Sequence, residues 1–186
     1  MKLNIQNVSF SALIPKEKTA LQNKKTGEFE PAIFCEVDCK DKNDYQIFTP
    51  LKESWEYGLC LELTSNWKYG NYANKIPDPR GHYILQKESG EILAICRTTE
   101  ADGTIRIDYL ESKPQTVYRF AGQMMLSRIA KEGIKKGYKK LTIPYPVEGT
   151  ERFYKNACGF KEQNDGYIME NEELIDFVAN SPRKIN

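Results

Sequence analysis

The sequence predicts an α/β chain of the α+β kind, a mixed and mostly antiparallel sheet flanked by helices. Two observations carry that expectation. Residues 82–111 hold three β-patterned segments, HYILQK, EILAICRT and TIRIDYLE, joined by the short turns ESGE and ADG; hairpin-linked strands make an antiparallel meander. A long amphipathic helix and the short apolar run LTIPYP follow, and a strand–helix–strand connection sets its two strands parallel.

Taken in order, residues 3–14, LNIQNVSFSALI, alternate in part and are expected to include a strand. Residues 16–30 are polar, with Thr26-Gly27 as a turn signal, and read as an exposed loop. Ala32 to Cys39 alternates between Pro31 and a polar turn and, with Tyr45 to Phe48, suggests a hairpin. Thr49-Pro50 is a hydroxyl cap followed by proline at the first helical position. Leu51, Trp55, Leu59 and Leu63 then give that helix one buried face. The aromatic residues Trp67, Tyr69 and Tyr72 read as core and its rim, or as the wall of a substrate pocket.

The long helix after the meander carries two adjoining rows, Ala121, Met125, Ile129 and Gly133 beside Gly122, Leu126, Ala130 and Ile134. These form an apolar stripe, with Gln123, Ser127, Arg128, Lys131, Glu132, Lys135 and Lys136 expected to face away. Gly137 ends the helix. A second helix, 148–157, leads to Cys158-Gly159-Phe160. A hairpin around Asn164-Asp165-Gly166 and a last helix, 172–179, close the chain.

A length of 186 residues fits one domain that buries about 70% of its unfolded surface. The formal net charge of +1 gives no electrostatic case for nucleic acid or an anionic membrane as a bulk partner. The lysines at 131, 135, 136, 139 and 140 read as a solvated helix face, with an RNA-facing role left open. Cys35, Cys39, Cys60, Cys96 and Cys158 are scattered and lack metal-ligand spacing, so no metal and no disulfide framework is expected. Reduced thiols, with no membrane-length apolar run and no targeting pattern, place the expected protein in the cytoplasm. His82 is the only histidine, which weakens every triad built on that residue.

The stretch Leu110 to Gly122, LESKPQTVYRFAG, reads as a strand end, a short turn and a helix whose first turn is open. Helix starts of that kind hold phosphates, because their first N–H groups lack an intrahelical partner and the helix dipole adds positive character. A plain helix start after a proline-containing loop looks the same. The stretch resembles the central motif of the GNAT superfamily of acyl-CoA-dependent N-acyltransferases, L-x-V-x-P-x-x-[R or Q]-x-x-G-x-[G or A]-x-x-L-L. Laid on without a gap, the motif matches at Leu110, Pro114, Gly122, Met125 and Leu126. Val117 stands where the family has Arg or Gln, and Phe120 stands at the first glycine. A rival register, with Arg119 and Gly122 in those two places, loses the proline spacing and puts Ser127 on the buried stripe.

A second signature, A-x-x-F-Y-x-x-x-G-F, is similar to Phe153-Tyr154 with Gly159-Phe160, one extra residue separating Tyr from Gly. Tyr167-Ile168-Met169-Glu170 resembles the family's last strand. The resemblance covers residues 82–170, and the C-G-F and LES-x-P endings are similar to those of bacterial members. Residues 1–80 would be the divergent part of a single 1–186 domain, shaping the acceptor side.

The resemblance implies a strand bearing Leu110 that splays from the parallel strand, with acetyl-CoA in the gap. Backbone groups of Leu110 and Ser112 would pair with the acyl and pantetheine parts. N–H groups of Val117, Tyr118, Arg119, Phe120, Ala121, Gly122 and Gln123 would meet the pyrophosphate, Arg119 adding charge. Tyr154 takes the family place of the general acid, since a phenol of pKa near 10 can protonate a thiolate whose acid has pKa near 8.5. The alternative for Tyr154 is packing beside Phe153. Glu111 is the candidate base, in balance with a solvated carboxylate; side-chain alternation would put Asp108 on the opposite face. The implied activity is acetyl transfer to a primary amine by direct attack in a ternary complex. The alternative, motivated by Val117 and Phe120, is a non-catalytic acyl-CoA-binding or protein-interaction member of the same fold. The acceptor stays open among a small molecule, a protein and an aminoacyl-tRNA, and a homodimer is compatible with all of these.

Overall fold

The computed structural model describes residues 13–37 and 80–181. The expected helix at Thr49-Pro50, the segment 45–48, the aromatic run from Trp67 to Tyr72 and the start of the first expected strand lie outside those residues.

The described chain runs β1 (Leu13–Gln22), β2 (Phe29–Val37), β3 (Arg80–Lys87), β4 (Ile92–Ala101), β5 (Thr104–Ser112), α1 (Ala121–Lys135), β6 (Lys140–Ile143), a π-helix (Arg152–Ala157), β7 (Lys161–Gln163), β8 (Gly166–Glu170) and α2 (Asn171–Asn180). The strands form one sheet in the order β1-β2-β3-β4-β5-β6-β8-β7. Among the described strands, only β5 and β6 pair in parallel. The expected meander is β3-β4-β5, the crossover helix is α1, and the parallel strand is β6. Gly137 carries the helix stop with φ +84°, a backbone state that a side chain makes costly.

Two expectations need correction. Residues 16–22 belong to β1 and are not a loop, and β1 pairs with β2 in an antiparallel hairpin whose turn holds Thr26-Gly27. The polar side chains hid the strand. Lys16 and Lys18 point to solvent, while Thr19, Ala20 and Leu21 are buried. The second correction concerns the polar face of α1. Ser127 and Arg128 are buried, as is Met124. Arg128 Nη2 donates to Thr19 Oγ1 at 3.2 Å and its guanidinium faces Glu17 at 3.6 Å, so β1 covers a side of the helix that periodicity assigned to water. Burial lowers the Arg128 pKa, and Glu17 opposes that shift. A buried cation needs such a partner, because an unpaired one is costly.

The main core lies between the sheet and α1. Met124, Met125, Leu126 and Ile129 pack there with Ile105, Ile107, Leu141, Ile143 and Met169, joined by Leu174 and Phe177 of α2. Each such side chain contributes about 1.5–3 kcal/mol when fully buried. The lysine run is locally neutralised: Lys131 pairs with Glu17, Lys135 with Glu132, Lys136 with Glu100 and Lys140 with Glu170. That pairing removes most of the basis for an RNA-facing stripe. No described helix is long and apolar enough to cross a membrane.

Candidate active site

The site begins where β5 leaves its parallel neighbour. β6 pairs only with Thr104–Arg106 of β5, whereas β5 stays paired with β4 to Ser112. A β-bulge lies just beyond: Thr98 faces Ile107 and Arg97 faces Tyr109, so Asp108 has no counterpart on β4. A bulge bends its strand and increases local twist, which accords with β5 diverging from β6 at this place.

The bulge also changes which way the carboxylates face. Simple alternation would set Asp108 and Glu111 on opposite sides, but the extra residue shifts the phase by one. Asp108 accepts from Thr99 Oγ1 and Arg106 Nε, each at 2.6 Å, and lies 3.7 Å from Arg97 Nε. Arg97 and Tyr109 share that face and stack at 4.3 Å, and Glu111 is two residues along from Tyr109. Asp108 is thus tied into an ion-pair network. Glu111 Oε1 is buried without a hydrogen-bond partner among the described residues, and burial pushes its carboxyl up to about 7. Such a group changes protonation near neutral pH.

After β5, Thr116 N–H donates to Lys113 O at 3.3 Å across Pro114 and Gln115. Gln115 has φ +51°. The chain then lies against the β1–β2 turn. Lys24 N–H donates to Val117 O at 2.7 Å, Arg119 N–H donates to Gln22 O at 2.9 Å, and Tyr118 faces Asn23 in an isolated antiparallel bridge. Tyr118 N–H meets Thr116 Oγ1 at 3.2 Å. The N–H groups of Tyr118 and Arg119 are therefore already engaged within the chain. Among the expected phosphate donors from Val117 to Gln123, the group at the helix start, Phe120 to Gln123, is the one that remains clustered.

Phe120 is the N-cap of α1 with φ +66° and ψ +16°, and it makes no side-chain cap. The residue is 48% exposed, so the backbone takes the glycine-like form while the side chain turns outward. Its carbonyl accepts the Met124 N–H at 2.8 Å. The N–H groups of Ala121, Gly122 and Gln123 precede that first helical bond, and no acidic side chain occupies the first turn. The positive φ at position 120 suits the gapless register, which puts a glycine place there. The buried Ser127 no longer distinguishes the two registers, whereas the Pro114 spacing does.

Gly122 faces Ser112 of β5 and Phe153. A Cβ there would stand 3.1 Å from Ser112 Oγ and 3.2 Å from Phe153 Cζ. The helix start, the end of β5 and the π-helix therefore converge, and Gln123 Nε2 donating to Ala157 O at 2.8 Å adds a side-chain tie. Leu110, on the same strand face as Ser112, packs against the core.

The segment after β6 holds Tyr154. One residue more than the family spacing separates Tyr154 from Gly159, and the helix takes it up by widening. Cys158 N–H donates five residues back to Phe153 O at 3.1 Å, and Phe160 N–H donates to Tyr154 O at 3.0 Å. Widened turns of this kind are how helices absorb an inserted residue, frequently at functional sites. Tyr154 is buried among Phe153, Phe160 and Tyr167, with ring centroids at 5.0, 6.0 and 5.2 Å. Burial, then the nearby Cys96, Cys158 and Tyr167, pushes its phenol up to about 12. Cys158 is buried too and its thiol is pushed up to about 12, which keeps it protonated and a poor nucleophile. His82 is buried in β3 opposite Arg97. No group of three or more metal-ligating side chains occurs among the described residues.

Sequence reasoning did not find Glu30 and Lys87. Glu30 Oε2 accepts from the Tyr118 hydroxyl at 2.6 Å, and Lys87 Nζ reaches the Tyr118 oxygen at 2.6 Å and Glu30 at 3.0 Å. Their separation in sequence left no local signal.

No family model matches the chain, and no curated protein matches its sequence. Solved structures do match its fold. An acetyltransferase-class protein of the GNAT family from Desulfovibrio desulfuricans aligns with TM-score 0.54 and 13% identity over 75% of this chain and 98% of that one. The ribosomal-protein-S18-alanine N-acetyltransferase of Escherichia coli gives TM-score 0.53 and 13% identity over 76% and 97%. The E. coli protein YhhK, assigned to the N-acetyl transferases and solved bound to coenzyme A, gives TM-score 0.53 and 18% identity over 75% and 98%. The chain has the GNAT fold.

Proposed function

We infer that the protein is an N-acetyltransferase of the GNAT superfamily, moving an acetyl group from acetyl-CoA to a primary amine within a ternary complex. The observation that carries this reading is the convergence at Gly122: an open helix start meets the end of β5 beyond the point where β6 has left it. A splayed strand pair offers backbone groups to an extended pantetheine arm, and the helix start offers N–H donors and dipole to a pyrophosphate. Leu110 and Ser112 would flank the first, Phe120 to Gln123 the second, with the Arg119 guanidinium adding charge. The neighbour solved with coenzyme A supports acyl-CoA as the donor.

In the transfer, the amine nitrogen attacks the thioester carbonyl carbon, the C–S bond breaks, and the amide forms. Glu111 takes the proton that the ammonium must lose, which its raised pKa permits near neutral pH. Tyr154 donates a proton to the departing thiolate, and the second proton shed by the attacking nitrogen as the amide forms returns the tyrosinate to the phenol; its raised pKa keeps Tyr154 protonated at working pH. The reaction would take place in the cytoplasm, in a single domain whose first eighty residues shape the acceptor side. Titration of the protein with acetyl-CoA in a calorimeter, followed by thiol release with a panel of primary amines, tests the reading. Saturable heat and amine-dependent coenzyme A release are expected; no heat at millimolar acetyl-CoA overturns it.

A further inference from the structure

The loop that leads into the α1 start is held from outside its own strand and helix. Three chain segments far from it in sequence meet on it. The β1–β2 turn supplies two backbone hydrogen bonds, Lys24 N–H to Val117 O and Arg119 N–H to Gln22 O, and Lys24 Nζ donates to Thr116 O at 2.9 Å. The second strand supplies Glu30, whose carboxylate accepts from the Tyr118 hydroxyl at 2.6 Å and from Asn23 Nδ2 at 2.7 Å. The third strand supplies Lys87, which bonds the Tyr118 oxygen at 2.6 Å and lies 5.0 Å from the centre of its ring. Tyr118 itself is 6% exposed, so its phenol is buried at the middle of the network.

We propose that Glu30 and Lys87 are positioning residues for cofactor binding, acting through Tyr118 to hold the backbone at Phe120–Gln123 in its phosphate-accepting form. This rests on the proposed acetyl-CoA site. Phe120 shows what the brace resists. A phenylalanine at φ +66° is strained and persists only where the surroundings over-determine it. The restraint comes from both sides of that residue: Arg119 is fixed to Gln22, and the Phe120 carbonyl is fixed to Met124 N–H. Removing the charge-assisted bond to Tyr118 loosens the first of these, because such bonds are the strong members of a network. Glu30 stays ionised in this brace, since bonds from Asn23, Tyr118 and Lys87, in that order, lower its pKa to about 2. Neither residue touches the reacting atoms, and each acts on the phosphate end alone.

The test compares Glu30→Gln and Lys87→Met with wild type by two measurements. Amide hydrogen exchange of the free protein should show residues 117–123 exchanging at least tenfold faster in both variants, with β4 and β8 protection unchanged. Steady-state kinetics should show the KM for acetyl-CoA rising about tenfold with kcat held. With S-acetylpantetheine, which has the thioester arm and no nucleotide phosphates, kcat/KM should shift less than twofold. Lys87→Arg, which keeps a cation within reach of both oxygens, should restore most of the acetyl-CoA affinity. Unchanged exchange at 117–123 overturns the brace whether or not acetyl-CoA binds. Equal losses with acetyl-CoA and S-acetylpantetheine overturn it as well, since they signal a general structural defect. A wild-type protein that binds no acetyl-CoA, with the exchange result intact, would sink the functional reading and the phosphate role together while leaving the brace itself as a mechanical fact.

Discussion

Gly122 and Phe153 meet so closely that a methyl group on Gly122 would press on the ring, the added Cβ standing 3.2 Å from it and 3.1 Å from Ser112 Oγ. A Gly122→Ala change gains about 1 kcal/mol of helix propensity and loses a similar amount in moving either the ring or Ser112. The melting temperature should stay within a few degrees of wild type. The displaced group enters the proposed cofactor gap, so acetyl-CoA affinity should fall about tenfold by calorimetry. Unaltered affinity would place the gap elsewhere.

Removing only the hydroxyl of Tyr154 separates packing from chemistry. Tyr154→Phe keeps the ring among Phe153, Phe160 and Tyr167, so stability and acetyl-CoA affinity should hold within twofold. General acid catalysis typically contributes 10²–10⁴-fold, and kcat should drop by about 10² or more. A kcat equal to wild type removes Tyr154 from the mechanism. With the phenol pushed up to about 12, its deprotonation should cause no fall in rate below pH 10.

Glu111 couples activity to stability with opposite signs. Burial favours its protonated form in the folded chain, moving the pKa from the ordinary 4.5 to about 7. Folding therefore takes up a proton in that interval, and the native state loses stability as pH rises from 4.5 through 7. Because the side chain keeps some solvent, the penalty is about 1 kcal/mol rather than the full shift converted. Glu111→Gln should melt a few degrees higher than wild type at pH 8 and equally at pH 4, while losing turnover at pH 8, where the wild-type carboxylate is formed. In wild type the amine-transfer rate should climb through pH 7 as the carboxylate forms; a flat profile from pH 5 to 8 would dismiss Glu111 as the base.

Phe120→Gly restores the residue that suits a positive φ. The left-handed state costs a non-glycine residue about 1–2 kcal/mol, partly offset by the greater chain entropy that glycine loses on folding. Calorimetric melting should rise by a few degrees, and acetyl-CoA should bind at least as tightly. A lower melting temperature would mean that the half-exposed ring holds a contact of its own.

Gly166 lies directly against the backbone at the end of β6. A Cβ there would stand 2.4 Å from Ile143 O and 3.0 Å from Pro144 Cα, both main-chain atoms without rotamer freedom. Gly166→Ala should destabilise the protein by about 2–3 kcal/mol, read from urea unfolding. It should also disturb the β6–β8 pairing that sets where β6 ends.

The central elements were legible because each carries its own local signal. The turns ADG and Asn164-Asp165-Gly166, the apolar rows of α1 and the stop at Gly137 all act within a few residues. What escaped was decided at a distance. β1 reads as a loop because Lys16, Glu17 and Lys18 are polar, yet Glu17 meets Arg128 and Lys131 of α1, and that encounter turns a charged run into a covering strand. The facing of Asp108 depended on a bulge, which one strand's pattern cannot reveal without its partner. At the candidate site, Phe120 stands where the motif has its first glycine. The structure gives it the glycine-like backbone because segments around residues 22, 30 and 87 fix the loop, and none of these is near in sequence.

The widened turn at Arg152–Ala157 has a further consequence. An α-helix advances about 100° per residue, so one added residue carried through to the end would have rotated Phe160 away from the ring cluster. The five-residue bond from Cys158 to Phe153 confines that rotation to a single turn. Phe153 and Tyr154 keep their aim on one side of it, and Phe160 and β7 keep theirs on the other. The segment works as a length adjuster, and the chain could gain or lose a residue there while its two anchored ends stay in place.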